Sequence, residues 1–234
     1  MVAGIDGCRT GWVVARVPAR GTVFRGSGPE IQLVPRLDEI VAALESGRLI
    51  AAAVDIPIGL ATTEPRACDL EARRMLGPRR GSVFPAPVRA VLGTTSYAEA
   101  CAVSRSACGK ALSKQLYNIV GKIREVDDLL SPRSELRLFE ACPELSFALM
   151  SGGEPMRHNK RSAAGRAERV ASLRTVFGGY DIESLVGAPP KGATSDDVFD
   201  ALALAWTACR DAAGSSLHLG GDVDETGLRM EVIA

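Results

Sequence analysis

The sequence lacks a charge imbalance. Its 28 Lys and Arg are matched by 28 Asp and Glu, for a formal net charge of zero. No global basic field announces a nucleic-acid binder, so any such role must rest on local patches. It also lacks a long apolar run, so no segment is expected to span a bilayer. There is no basic start followed by an apolar stretch at the N-terminus, and an apolar run from Val2 leaves no room for a cleaved leader. The expectation is a cytoplasmic protein without a membrane partner. Histidine is scarce: His158 and His218 are the two present, and neither has a cysteine at ligand spacing. The six cysteines (Cys8, Cys68, Cys101, Cys108, Cys142 and Cys209) include no C-x-x-C pair. Zinc is therefore not expected, and reduced thiols are. Neither an internal repeat nor a low-complexity segment is visible.

What is present suits one large domain, or one domain with a sizeable insertion: 234 residues, 46% hydrophobic and 24% charged. The organising stretch is Val2–Ala15. It reads as a short apolar strand, an acid at its end (Asp6), a glycine-bearing turn at Gly7 and Gly11, and a second strand over Gly11–Val17. A strand apolar on both faces is expected to be buried. A carboxylate at its mouth then needs hydrogen-bond donors or a cation.

Thr22–Phe24 and Ile31–Val34 are weaker strand candidates, which together with the first two suggest an antiparallel meander. Arg36–Glu45 has helical spacing. Leu49–Gly59 is a second buried strand, ending on Asp55 before Pro57 and Gly59 stop the ladder. A helix before it and a long connection after it imply parallel strands joined by crossovers. Helices are expected over Glu64–Leu76, Tyr97–Val103 and Lys110–Leu130, the last with the apolar stripe Leu112, Leu116, Ile119, Ile123, Val126 and Leu130. Leu136–Glu140 is a third strand ending on an acid. Helices follow over Pro143–Met150, Ser162–Val176 and Asp181–Leu185. Thr194 or Ser195 caps a last helix running through Ala213. An acidic turn (Asp222–Thr226) and a strand over Leu228–Ile233 close the chain.

Three strands thus end in Asp6, Asp55 and Glu140. Neighbours in one sheet would bring their carboxylates to a single edge, the edge where open α/β sheets bind ligands. The last helix adds Asp196, Asp197 and Asp200, with Asp200 sharing a face with either partner. Such a cluster without histidine repels itself unless protons or hard cations neutralise it. Oxygen-only ligands favour Mg²⁺ or Mn²⁺. Two such ions ~4 Å apart would stabilise an in-line phosphoryl displacement. Catalytic roles are expected of Asp6, Asp55, Glu140 and Asp200, and metal contacts of Asp6, Asp55, Glu140, Asp197 and Asp200. Each acid also has a purely structural reading: Asp6 as the cap of its turn, Asp55 as a turn acid, Asp196 and Asp197 as helix-start acids, Glu144 as a first-turn acid. Basic side chains around the proline-rich loop (Arg73, Arg74, Arg79, Arg80, Arg89) and around the later helix (Lys160, Arg161, Arg166, Arg169) could hold phosphates without reading bases, or be solvated faces. The substrate-binding candidates are Arg9, Arg73, Arg89, Lys122 and Lys160.

Taken together, Gly4-Ile5-Asp6-Gly7-Cys8-Arg9-x-Gly11-Trp12, Val54-Asp55-Ile56-Pro57-Ile58-Gly59, Ser82-Val83-Phe84-Pro85-Ala86-Pro87, Glu140-x-x-Pro143-Glu144-x-x-Phe147 and Asp196-Asp197-x-x-Asp200-Ala201 resemble the predicted ribonuclease H-like nucleases catalogued as domain of unknown function 429. The resemblance covers nearly the whole chain. It implies an α/β fold, with a mixed five-stranded sheet whose first three strands are antiparallel, flanked by helices. It also implies acids after the first and fourth strands and in the last helix, here Asp6, Asp55, and Asp200 with Asp196 or Asp197. Residues 1–234 would form one such domain, with mainly helical insertions around 60–133 and 150–190. The chain departs from the family at Cys142, where a histidine is often found.

Three function classes follow. The first is a Mg²⁺- or Mn²⁺-dependent nuclease acting on nucleic acid without base specificity. The second is a non-catalytic nucleic-acid- or protein-binding regulator of the same fold. The third is an actin-like ATPase-type phosphotransferase, disfavoured because 234 residues without a repeat hold only one ribonuclease H-like half.

Overall fold

The computed structural model describes residues 1–19 and 28–234. Thr22–Phe24 lies outside the described residues. Val2–Cys8 (β1) and Gly11–Val17 (β2) form a hairpin whose turn is Arg9-Thr10. Gly7 lies inside β1 and not in that turn. Gly11 is required by close approach: a Cβ there would lie 2.2 Å from the carbonyl oxygen of Val34. Glu30–Val34 (β3) pairs antiparallel with β2. Asp38–Glu45 (α1) leads to Ala51–Val54 (β4), which runs parallel to β1. Leu138–Glu140 (β5) runs parallel to β4 on its far side. The sheet order is β3-β2-β1-β4-β5, a mixed five-stranded sheet flanked by helices. Between β4 and β5 lie Ala67–Leu76 (α2), Tyr97–Cys108 (α3) and Lys114–Leu130 (α4), with two 3-10 turns. After β5 come Pro143–Met150 (α5), Ala163–Val176 (α6), Ile182–Gly187 (α7) and Ser195–Ala212 (α8).

Several boundaries move for local reasons. The α4 helix starts at Lys114 because Ser113 caps it, accepting from the Leu116 amide. Leu112 therefore precedes the helix, and Val120 joins the buried side. His218–Val223 (β6) was not legible as a strand, because Gly220 and Gly221 interrupt its alternation. It pairs with Arg229–Ile233 (β7) in a separate two-stranded sheet. No helix among the described residues is long and apolar enough to cross a membrane.

The five-stranded sheet is covered on both faces, as its apolar strands require. Ala3, Ile5, Trp12, Val14 and Val54 pack toward α1 and α4 with Leu37, Ile40, Ile123, Val126 and Leu130. Val2, Val13, Ala15, Ala51 and Ala53 pack toward α8 with Phe147, Phe177, Phe199 and Leu202. Helix α8 is buried along most of its length, its apolar run from Val198 to Cys209 interrupted by Asp200 and Thr207. Its start is a capping box: the Thr194 hydroxyl accepts from the Asp197 amide, and the Asp197 carboxylate accepts from the Thr194 amide. Gly4 lets α8 lie against β1, since a Cβ at Gly4 would sit 2.0 Å from the Ala205 nitrogen and 2.1 Å from the Ala201 oxygen. That contact positions the site.

Candidate functional site

Side chains alternate across a strand, so parity decides which acids meet. Gly4 faces α8, and Asp6, two residues on, shares its face. Ile5 pairs with Val54 in the parallel register, and the Asp55 amide donates to the Ile5 carbonyl at 3.0 Å. Continuing that register sets Asp6 beside Asp55, and Asp55 shares the parity of Ala51 and Ala53, again toward α8. Asp200 lies in the second turn of α8, one residue before the Ala201 that touches Gly4. Three acids far apart in sequence therefore lie on one face where β1 and β4 end.

Their electrostatics reflect this. The Asp6 carboxyl is raised well above the ordinary range, by burial first and then by Asp200, Asp55 and Asp197, while Lys160 opposes. Asp6 also accepts from the Gly7 amide at 2.8 Å. The Asp55 carboxyl is pushed up to about 7, by the surrounding protein first and then by Asp200, with Lys160 opposing and Glu140 and Glu144 adding to the rise. Its side chain nevertheless opens to solvent, which screens part of that effect. The Asp200 carboxyl is raised by burial, against the pull of Lys160. Lys160 donates to Oδ2 of Asp200 at 2.7 Å. Asp197 contributes charge, but one of its oxygens is spent on the capping box.

Glu140 does not join them. It pairs in register with Val54, not with the residue after it. Its side chain therefore leaves the sheet on the α1–α4 face, opposite Asp6 and Asp55; a one-residue offset suffices for this. There Arg66 Nη1 and Nη2 hold its two oxygens at 2.7 and 2.8 Å, and the Ile58 amide donates at 2.8 Å. Arg66 also pairs with Asp69, whose Oδ2 accepts from the Ala86 amide at 3.0 Å. Glu140, expected to be catalytic and metal-binding, thus stands apart from the other acids, with both its oxygens in a buried ion-pair network.

Two of the basic candidates are likewise structural. Arg73 donates to the Val83 carbonyl at 2.7 Å. Arg89 forks onto Asp127 and also bonds Asp224 and Thr226, tying α4 to the β6–β7 turn. Arg9 is exposed in the β1–β2 turn. Lys122 does approach the site's rim: it donates to the Gly11 carbonyl at 2.6 Å and lies 4.1 Å over the Trp12 ring. Burial lowers its pKa, and Cys8, Glu125 and Asp6 oppose that shift.

Glu144 was the acid that the spacing reading undervalued. It lies in the first turn of α5, and the Ser146 hydroxyl is 2.7 Å from that of Thr207, joining α5 to α8. Its charge raises the carboxyls of both Asp55 and Asp200. Oε1 of Glu144 accepts from Arg169 at 2.5 Å, whereas the buried Oε2 has no hydrogen-bond partner. Its signal in the sequence was its place immediately after the helix-starting Pro143. Arg169, expected among phosphate-binding residues, is buried in this pair. The Cys142 thiol is pushed up by enclosure and then by Asp55, which keeps it neutral and unsuited to the base or ligand role of a histidine there.

The chain matches the family described as "Protein of unknown function (DUF429)" over residues 4–225. It belongs to that family. No curated protein and no solved structure matches it. As a member of a family defined without a function, the chain must have its chemistry argued from the acid site itself.

Proposed function

We propose that this family member is a divalent-metal-dependent phosphodiesterase acting on nucleic acid, with Asp6, Asp55 and Asp200 as its acidic centre on a ribonuclease H-like fold. A mixed five-stranded sheet with β1–β3 antiparallel is what that resemblance implies, and it supports the reading. The observation that carries it is the gathered negative charge: Asp200, Asp55 and Asp197 all act on Asp6, and Lys160 is the cation that bonds one of these four among the described residues.

The donor chemistry fits Mg²⁺ or Mn²⁺, being anionic oxygen with no sulfur or imidazole. The spacing is looser. Among the described residues no three Asp, Glu, His or Cys side chains close on one point. That suits an ion held by one or two carboxylates, with water and substrate oxygens completing its shell. When bound, such an ion polarises a phosphodiester and acidifies a water. Asp6 and Asp200, both buried, would hold it from β1 and α8, and Asp55 from the solvent side. Gly4 keeps β1 and α8 close enough for this, and Lys122 and Lys160 supply positive charge at the rim for phosphate.

The test is cleavage of labelled single- and double-stranded DNA and RNA in Mn²⁺. Cleavage should need the metal and fall by at least ~100-fold in Asp6→Asn and Asp200→Asn, in the range of removing a main electrostatic group. The second reading, a non-catalytic binding protein, has one observation in its favour: Lys160 already neutralises Asp200. Wild type and both variants alike in leaving every substrate uncut would make it the better account.

A further inference from the structure

Two cations meet the acid site in opposite ways. Arg169 is locked: its side chain is 2% exposed, with Nη2 on Glu144 and Nη1 on the Gly165 carbonyl at 3.2 Å. Lys160 reaches in from outside: its side chain is 40% exposed, and that of Asp200, which it bonds, is 7% exposed. The backbone beneath it is anchored. The Asn159 carbonyl accepts from the Ser162 amide at 2.9 Å and from the Ser162 hydroxyl at 2.8 Å, while the Asn159 side chain accepts from the Arg161 amide at 2.9 Å. Gly165 admits that carbonyl so closely that a Cβ would lie 2.0 Å from it. A flexible four-carbon stem thus carries a strongly hydrated ammonium from a fixed root. Its ammonium donates to Asp200, and solvent is ready to receive it.

We infer that Lys160 is an exchangeable counter-ion: its ammonium neutralises Asp200 while no divalent cation is bound, gives way to that cation, and then holds an anionic oxygen of the nucleic-acid phosphodiester at the rim. This rests on the metal-dependent reading above. The chemistry favours the exchange. An ammonium and a divalent cation cannot both contact Oδ2 of Asp200 without strong repulsion, and the half-exposed lysine loses less by leaving than the buried carboxylate would. A phosphate oxygen is the natural second partner, since lysine binds phosphate as a point charge.

The probe is Mn²⁺ alone, with the free ion counted by electron paramagnetic resonance on the full chain. Lys160→Met keeps the length of the side chain and removes the competing charge. It should bind Mn²⁺ about 10-fold tighter than wild type, the size of one ion pair given up. In Ca²⁺, the same variant should bind a short single-stranded oligonucleotide several-fold more weakly. Wild type binding Mn²⁺ with Lys160→Met no tighter overturns the counter-ion role and leaves the nuclease reading standing. Neither chain binding Mn²⁺ overturns both. Unchanged oligonucleotide affinity overturns the rim contact. Thermal melts of both chains verify folding, and Lys160→Gln repeats the test should the methionine variant melt early.

Discussion

Two acidic clusters lie close together on this sheet and are built on opposite terms. Around Arg66, the carboxylates of Glu140 and Asp69 are met by a buried guanidinium and by backbone amides, with distances of 2.7–3.0 Å from Glu140 and Ala86. Around Asp200, several carboxylates are met by one half-exposed lysine and, through Glu144, by the buried Arg169. The first arrangement gives every carboxylate oxygen a hydrogen-bond donor and holds the turn after β4 in place. The second leaves negative charge that raises the carboxyls of Asp6, Asp55 and Asp200. The comparison teaches that a strand ending in an acid is not yet a site. The deciding feature is whether the fold delivers a cation to it or withholds one.

The largest effect should come from breaking the satisfied cluster. Arg66→Met strands two buried carboxylates and should lower stability by about 3–5 kcal/mol, read as a shift in the urea midpoint. Next, Gly4→Ala wedges a methyl group into the α8 backbone. It should cost about 3 kcal/mol and, by parting Asp200 from Asp6, weaken Mn²⁺ binding; a stable Gly4→Ala with wild-type affinity would mean that the β1–α8 contact does not set the site. In the unsatisfied cluster the sign reverses. Asp6→Asn should stabilise the metal-free protein by ~1 kcal/mol, seen as a higher melting temperature, while abolishing the metal-induced rise.

The smallest effect is in pH. The Asp55 carboxyl is raised in the folded protein to about 7 from an ordinary 3.8. The folded state therefore binds this proton more tightly than the unfolded chain. Stability from this group is present below ~4, the ordinary aspartate range, and is lost as pH rises toward 7. Melting temperature followed across that window should fall less steeply in Asp55→Asn than in wild type. Identical slopes would show that solvent screens Asp55 fully.

Much of the scaffold was legible in the chain. Apolar runs marked β1, β2, β4 and β5; Ser162 and Thr194 marked helix starts; and the apolar setting of Asp200 marked it as unlike a surface acid. These are local signals, carried by neighbours within a turn or two. The glycine pair in β6 hid that strand by the same local rule. Glu140 read like Asp6 and Asp55, because each ends an apolar run, and the difference is a single residue of register.

The sequence by itself determined which segments become strands and helices and where acids stand along them, because period, capping and turn chemistry act over a few residues. Tertiary structure decided which acids share a face and which arginine meets which carboxylate. Asp6 and Asp55 became neighbours by strand register, and Asp200 joined them because Gly4 admits α8. Glu140 found Arg66, 74 positions away. Pairing across such distances depends on the packed sheet, where low polarity makes each ion pair or missing partner weigh heavily.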